Sequence, residues 1–117
     1  MRARARILGS VFSILTLTLN LSNLSTKKEM FDFQKLTVYH RSKDFRKSIR
    51  SLIFENKFDR TTRDQLSRAS MSIALNIAEG SSRFTLKDRK HFMVISRGSV
   101  FECLAILELL KESQEIT

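Results

Sequence analysis

The segment that opens at Thr85 and continues through "RKHFMVISRGSVFECLAILELLKES" places the tightest constraint on the fold. Phe92, Ile95, Ile106 and Leu109 recur at helical spacing along one stripe, and Met93, Val100, Leu104 and Leu107 along a second. A helix that is apolar on two sides needs neighbours on both, within a bundle or between subunits. Thr85, with Asp88 three residues on, makes a variant capping box with Asp in place of Glu or Gln, and so marks where this helix starts.

Two further stretches follow the same period. In "LTVYHRSKDFRKSIRSLIFENK", Val38, Phe45, Ile49, Leu52 and Ile53 fall at helical spacing, while Lys43, Arg46, Lys47 and Arg50 gather on another face. The next helix begins after "FDRTT", where Asp59, Thr61 or Thr62 can cap the free amides, and is expected to stop at Gly80. Leu66, Ala69, Ile73 and Ile77 form its apolar stripe. Proline is absent and glycine occurs only 3 times, so the turn punctuation of a many-stranded β fold is missing. A chain of 117 residues has room for one modest core. The expected fold is all-α, an up-down antiparallel helical bundle with three long helices in residues 30–117.

Residues 1–29 read differently. "MRARAR" followed by "ILGSVFSILTLTLNL" has the charged and apolar parts of a secretory signal, but no small-x-small cleavage site follows. The apolar run is too short and too rich in Ser, Thr and Asn for a stable membrane span. Asn20-Leu21-Ser22 and Asn23-Leu24-Ser25 match the weak glycosylation pattern, which means nothing in a cytoplasm. A signal peptide, a membrane-surface segment and a non-native or dispensable extension all remain open readings. Organised periodicity begins after Met30, so the leader is expected to be poorly ordered or loosely helical and dispensable for folding.

The net charge is +9 and unevenly spread: +4 over residues 1–29, +8 over 30–97 and −3 beyond. A basic body favours a polyanionic partner without specifying one. Lys43, Arg46, Lys47 and Arg50, with Arg83, Lys87, Arg89 and Lys90 around the second connection, form the candidate phosphate-contacting set; the alternative is a solvated basic face. No aromatic is interleaved with this set to stack bases, so non-specific binding of RNA or other nucleic acid is the expectation.

Polar residues also form stripes. Gln65, Arg68, Ser72, Asn76 and Glu79 follow steps of three and four on one helix, and Ser96, Ser99 and Glu102 do so on the next. If the short connection "SSRFT" folds these helices antiparallel, counting at ~1.5 Å per residue gives facing numbers that sum to about 168. That register brings Arg68 to Glu102, Ser72 to Ser96 and Glu79 to Arg89. Such a network either fixes the helix register or contacts a ligand or RNA.

At these residues the chain resembles the four-helix-bundle proteins encoded in intervening sequences of 23S ribosomal RNA genes, which are related to accessory proteins of diversity-generating retroelements. The likeness is carried by "DFQKLTVYHRSKDF", "QLSRASMSIALNIAEGSSR" and "KDRKHFMVISRGSVFECLAILELL". Arg68, Asn76, Glu79, Gly80, Arg97, Ser99 and Glu102 are the signature and structural positions. The resemblance implies a bacterial, cytoplasmic bundle assembled as a homopentamer with a basic surface suited to nucleic acid, and a reverse transcriptase as partner if the chain is a retroelement accessory protein. It departs from the family pattern in having Phe58-Asp59 where an aromatic-proline pair is common, and in ending at Thr117, so that the fourth helix is expected to be lacking.

No nucleophile elbow, phosphate-binding glycine loop or metal-binding pair occurs, and His91 beside Arg89 and Lys90 reads as solvated. The lone Cys103 reads as a small buried hydrophobe. The sequence thus points to a non-enzymatic protein without catalytic residues, cofactor or metal. A structural or protein-interaction scaffold without a nucleic-acid role is the alternative.

Overall fold

The computed structural model describes residues 2–21 and 36–116, all in helices and short connections. Four helices are present: α1 (Arg2–Leu21), α2 (Thr37–Glu55), α3 (Arg60–Ser81) and α4 (Leu86–Glu112). They pack in ring order, α1 on α2, α2 on α3, α3 on α4 and α4 back on α1, which leaves α2 and α4 on one diagonal and α1 and α3 on the other.

This corrects the expectation of a lacking fourth helix. The fourth place is taken by α1, built from the leader. Ile7, Val11 and Ile14 are buried in the common core, and their spacing of four and three is that of one helical stripe. The Ser and Thr residues among them do not prevent the helix: Thr16 Oγ1 donates to the Phe12 carbonyl at 3.0 Å, satisfying its hydroxyl within the helix itself. The boundary at Met30 and the Asn20 and Asn23 side chains lie outside the described residues.

The other elements start where their caps allow. Asp59 accepts from the Thr62 amide at 2.6 Å and starts α3; that bond holds its carboxyl below the usual carboxylate range. Thr85 accepts from the Asp88 amide at 3.2 Å and starts α4. At the far end of α4, Gln114 takes a left-handed φ of 61°, and Glu115 donates to the Leu110 carbonyl at 2.9 Å, closing the helix as a Schellman motif.

Gly80 does not stop α3, which runs on to Ser81. Its role is proximity. A Cβ added there would lie 2.9 Å from Phe92 Cβ and 3.1 Å from Met93 Cε, so the missing side chain is what lets α4 approach α3 this closely.

Of the two stripes on α4, Met93 and Val100 enter the core with Leu104 and Leu107 packed against it. In the other stripe Phe92 lies against Gly80 of α3 and Ile106 packs against the core, while Ile95 and Leu109 are exposed.

Candidate nucleic-acid interface and the polar seam

On α2 the core stripe of Val38, Phe45, Ile49 and Leu52 fixes which way the basic residues point. Lys43, Lys47 and Arg50 lie on the opposite, exposed face, and none of them is ion-paired among the described residues. The Lys43 ammonium sits 5.2 Å from the centroid of the Tyr39 ring, a cation–π contact that restrains it. Lys47 also borders a polar groove of about 620 Å³ between α1 and α2, shared with Ser10, Ser13, Arg41, Asp44 and Ser48.

Arg46 belongs to the fold instead. It is half-buried between α2 and α3, donates to the Ser67 carbonyl, and reaches Ser67 Oγ at 3.2 Å and Ser70 Oγ at 2.8 Å. Burial first, and then the neighbouring Arg50, lowers its pKa from the ordinary arginine value.

The second basic group divides in the same way. Lys87 and Lys90 are exposed at the start of α4. Arg83 is half-buried in the turn, donates to Glu79 Oε1 at 2.5 Å and stacks 4.6 Å from the Phe92 ring centroid. Arg89 is only 3% exposed, and its Nε donates to the Arg83 carbonyl at 2.6 Å, fixing the turn from inside. The candidate set therefore splits into exposed cations (Lys43, Lys47, Arg50, Lys87 and Lys90) and internal clamps (Arg46, Arg89 and, in part, Arg83). α2 and α4 are diagonal, so the two exposed groups do not merge across a helix–helix contact.

The polar stripes of α3 and α4 do face one another, but one turn away from the counted register. Asn76 Nδ2 donates to Ser72 Oγ at 2.9 Å and to the Ser72 carbonyl at 2.8 Å. Ser72 Oγ and Ser99 Oγ are 2.8 Å apart, and Ser96 Oγ donates to the Ile73 carbonyl at 2.9 Å. Ser72 thus meets Ser99 rather than Ser96. Side chains lean toward the N-terminus of their own helix, so on antiparallel helices the residues that touch lie further along each chain than axial counting gives. Glu79 pairs with Arg83 on its own side of the turn, while the Arg89 Nε is directed to the Arg83 carbonyl. Arg68 and Glu102 are both exposed, and among the described residues no ion pair joins them. Arg97 is half-buried on α4.

Among the described residues, no group of three or more His, Cys, Asp and Glu is placed to hold a metal ion, and no helix is long and apolar enough to cross a membrane.

The family model described as 23S rRNA-intervening sequence protein matches residues 34–117. The chain belongs to this family. The match takes in α2, α3 and α4, with the serine seam and the Gly80 contact, and leaves α1 outside it. No curated protein and no solved structure matches the chain.

Two features escape a reading of the sequence. Phe54 is 91% exposed and lies on the basic face of α2, four residues beyond Arg50 and seven beyond Lys47. Its helical phase gives this away, because it falls opposite Ile49 and Leu52 once those are placed in the core. The clamp roles of Arg46 and Arg89 carry no such signal, since they depend on which helix lies beside which.

Proposed function

We propose that this protein is a non-enzymatic, self-associating bundle that binds nucleic acid, RNA in particular, through the exposed cations of α2 and of the start of α4. The observation that carries the reading is the row Lys43, Lys47 and Arg50, exposed on one helix face without ion pairs among the described residues. The family's description, which ties it to 23S rRNA intervening sequences, supports the choice of RNA. Binding of this kind is governed by counterion release, so log affinity falls with log salt by roughly 0.7 to 0.9 per phosphate neutralised. The test is retention of structured RNA, single-stranded RNA and duplex DNA across a salt series, with K43E/K47E/R50E as the comparison. Salt-sensitive binding, lost in the triple variant with helicity intact, is expected. Failure of the parent chain to retain any of the three at low salt overturns the reading in favour of a scaffold without a nucleic-acid role.

Self-association rests on the outer surface of α3 and α4, where Met71, Leu75, Val94, Ile95, Phe101 and Leu109 are exposed. Large apolar surface of this kind marks an association site, and a second copy of the chain is the proposed occupant. Light scattering should return a multiple of the 13.6 kDa chain mass. A cooperatively melting monomer overturns this part.

A further inference from the structure

The outer face of α2 carries more than charge. Tyr39, Lys43, Lys47, Arg50 and Phe54 follow steps of four, four, three and four along it, so they form one row with an aromatic ring at each end and three cations between. The row spans about 22 Å at ~1.5 Å per residue, enough for a short site of about four nucleotides. Its two rings differ. Tyr39 is partly buried against the core and occupied by the Lys43 ammonium, whereas Phe54 stands 91% exposed. An exposed ring in line with cations is the arrangement by which proteins hold unpaired bases: the cations follow the phosphates and the ring stacks on a base that is not already stacked in a duplex.

We infer that this row is a single-strand track, with Lys43, Lys47 and Arg50 on successive phosphates and Phe54 stacking a base, so that the preferred ligand is single-stranded nucleic acid rather than duplex. The inference rests on the nucleic-acid reading above and narrows it to one ligand class. A membrane surface is the competing partner for an exposed ring beside lysines, but the row offers one fully exposed ring on a face otherwise made of charged and polar side chains. That is far less apolar area than an interfacial helix buries.

Two variants test it without disturbing the fold, because the Phe54 side chain makes little contact with the rest of the protein. F54A is expected to weaken binding of a single-stranded RNA oligonucleotide by about fivefold to a hundredfold, the range of one lost base stack, and to leave duplex binding within about twofold. The chain contains no tryptophan, so F54W installs a single indole at this position. Its emission is expected to be quenched by single-stranded RNA and unchanged by a duplex of the same length. If F54A binds single strands as the parent does while the parent still retains nucleic acid, the track is overturned and the wider reading stands. If the parent retains no nucleic acid, both fall. If the F54W emission responds to vesicles of anionic phospholipid and not to RNA, the row is a membrane contact and the inference is overturned.

Discussion

The Ser72 and Ser99 hydroxyls share a hydrogen bond of 2.8 Å across the α3–α4 seam. Ser99 Oγ also lies 3.3 Å from the Ile95 carbonyl, an acceptor for its proton. Ser72 in turn accepts from Asn76. The result is a chain of hydrogen bonds from Asn76 through Ser72 and Ser99 to the α4 backbone. It explains why a helix that packs tightly on its neighbour carries an amide and hydroxyls along that edge: the Asn76 amide and the Ser72, Ser96 and Ser99 hydroxyls find partners there, which favours the axial register in which they meet.

Ser72→Ala is expected to destabilise the bundle by about 1 to 2 kcal/mol, because Asn76 and Ser99 both lose a partner in a part-buried seam. Ser99→Ala should cost about as much. The double variant should cost clearly less than the two together, since removing both hydroxyls removes the interaction as a unit. Urea denaturation of the four proteins measures this. Additive losses would mean that the two serines are not coupled.

Gly80→Ala sets two effects against each other. Alanine gains about 1 kcal/mol of intrinsic helix stability over glycine. Its Cβ would stand 2.9 Å from Phe92 Cβ, an atom fixed to the α4 backbone that cannot swing aside, and overpacking of this sort costs about 1 to 3 kcal/mol. The steric effect is expected to win, giving a net loss of up to about 2 kcal/mol. Gly98, where an added Cβ meets nothing within 4 Å, is the control: Gly98→Ala should raise stability by roughly the helix-propensity gain.

Much of this architecture is legible in the sequence because it rests on periodicity. The core faces of α2, α3 and α4 follow from apolar residues at helical spacing, and the caps at Asp59 and Thr85 from residue type and position. Pairings across helices are less legible. Axial counting puts Glu102 beside Arg68 and ignores the lean of side chains, whereas both residues point to solvent. Of the basic residues, composition cannot separate Lys47, which is exposed, from Arg46, one position earlier, which is drawn inward by Ser67 and Ser70 on α3. α1 is hard to read from sequence because its basic start and Ser- and Thr-rich apolar run resemble a targeting segment, although Ile7, Val11 and Ile14 carry the helical spacing.

Burial pushes the Cys103 thiol up to about 12 from an ordinary value of 9.0, with the nearby Glu102 charge adding to it. The folded protein thus holds this proton more tightly than the unfolded chain does. The corresponding stability is fully present below about pH 9 and is lost as the pH rises from there toward 12. Melting temperature followed from pH 8 to 11 should fall less steeply for Cys103→Ala than for the parent. At pH 8 the native thiol should resist an aromatic disulfide reagent and react at once in denaturant. Rapid reaction of the native protein would show that the site is open.

The burial of α1 side chains argues against residues 1–29 being dispensable for folding, and the prediction drawn from it is that they are needed. Ile7, Val11 and Ile14 contribute three fully or nearly fully buried side chains to the core shared with Phe45, Ile49 and Val100. At about 1.5 to 3 kcal/mol for each buried side chain of this size, their loss removes roughly 5 to 9 kcal/mol of burial. That is comparable with the ~5 to 15 kcal/mol that holds a whole domain folded. A protein starting at Met30 should therefore lose cooperative melting or associate through the opened face between α2 and α4. The single substitution Ile14→Ala, which leaves α1 in place, should cost about 2 to 5 kcal/mol. Circular dichroism melts of the three proteins decide the matter. If the shortened chain melts as cooperatively and at the same temperature as the full one, α1 is an ornament on a three-helix bundle and the core assigned to it here is wrong.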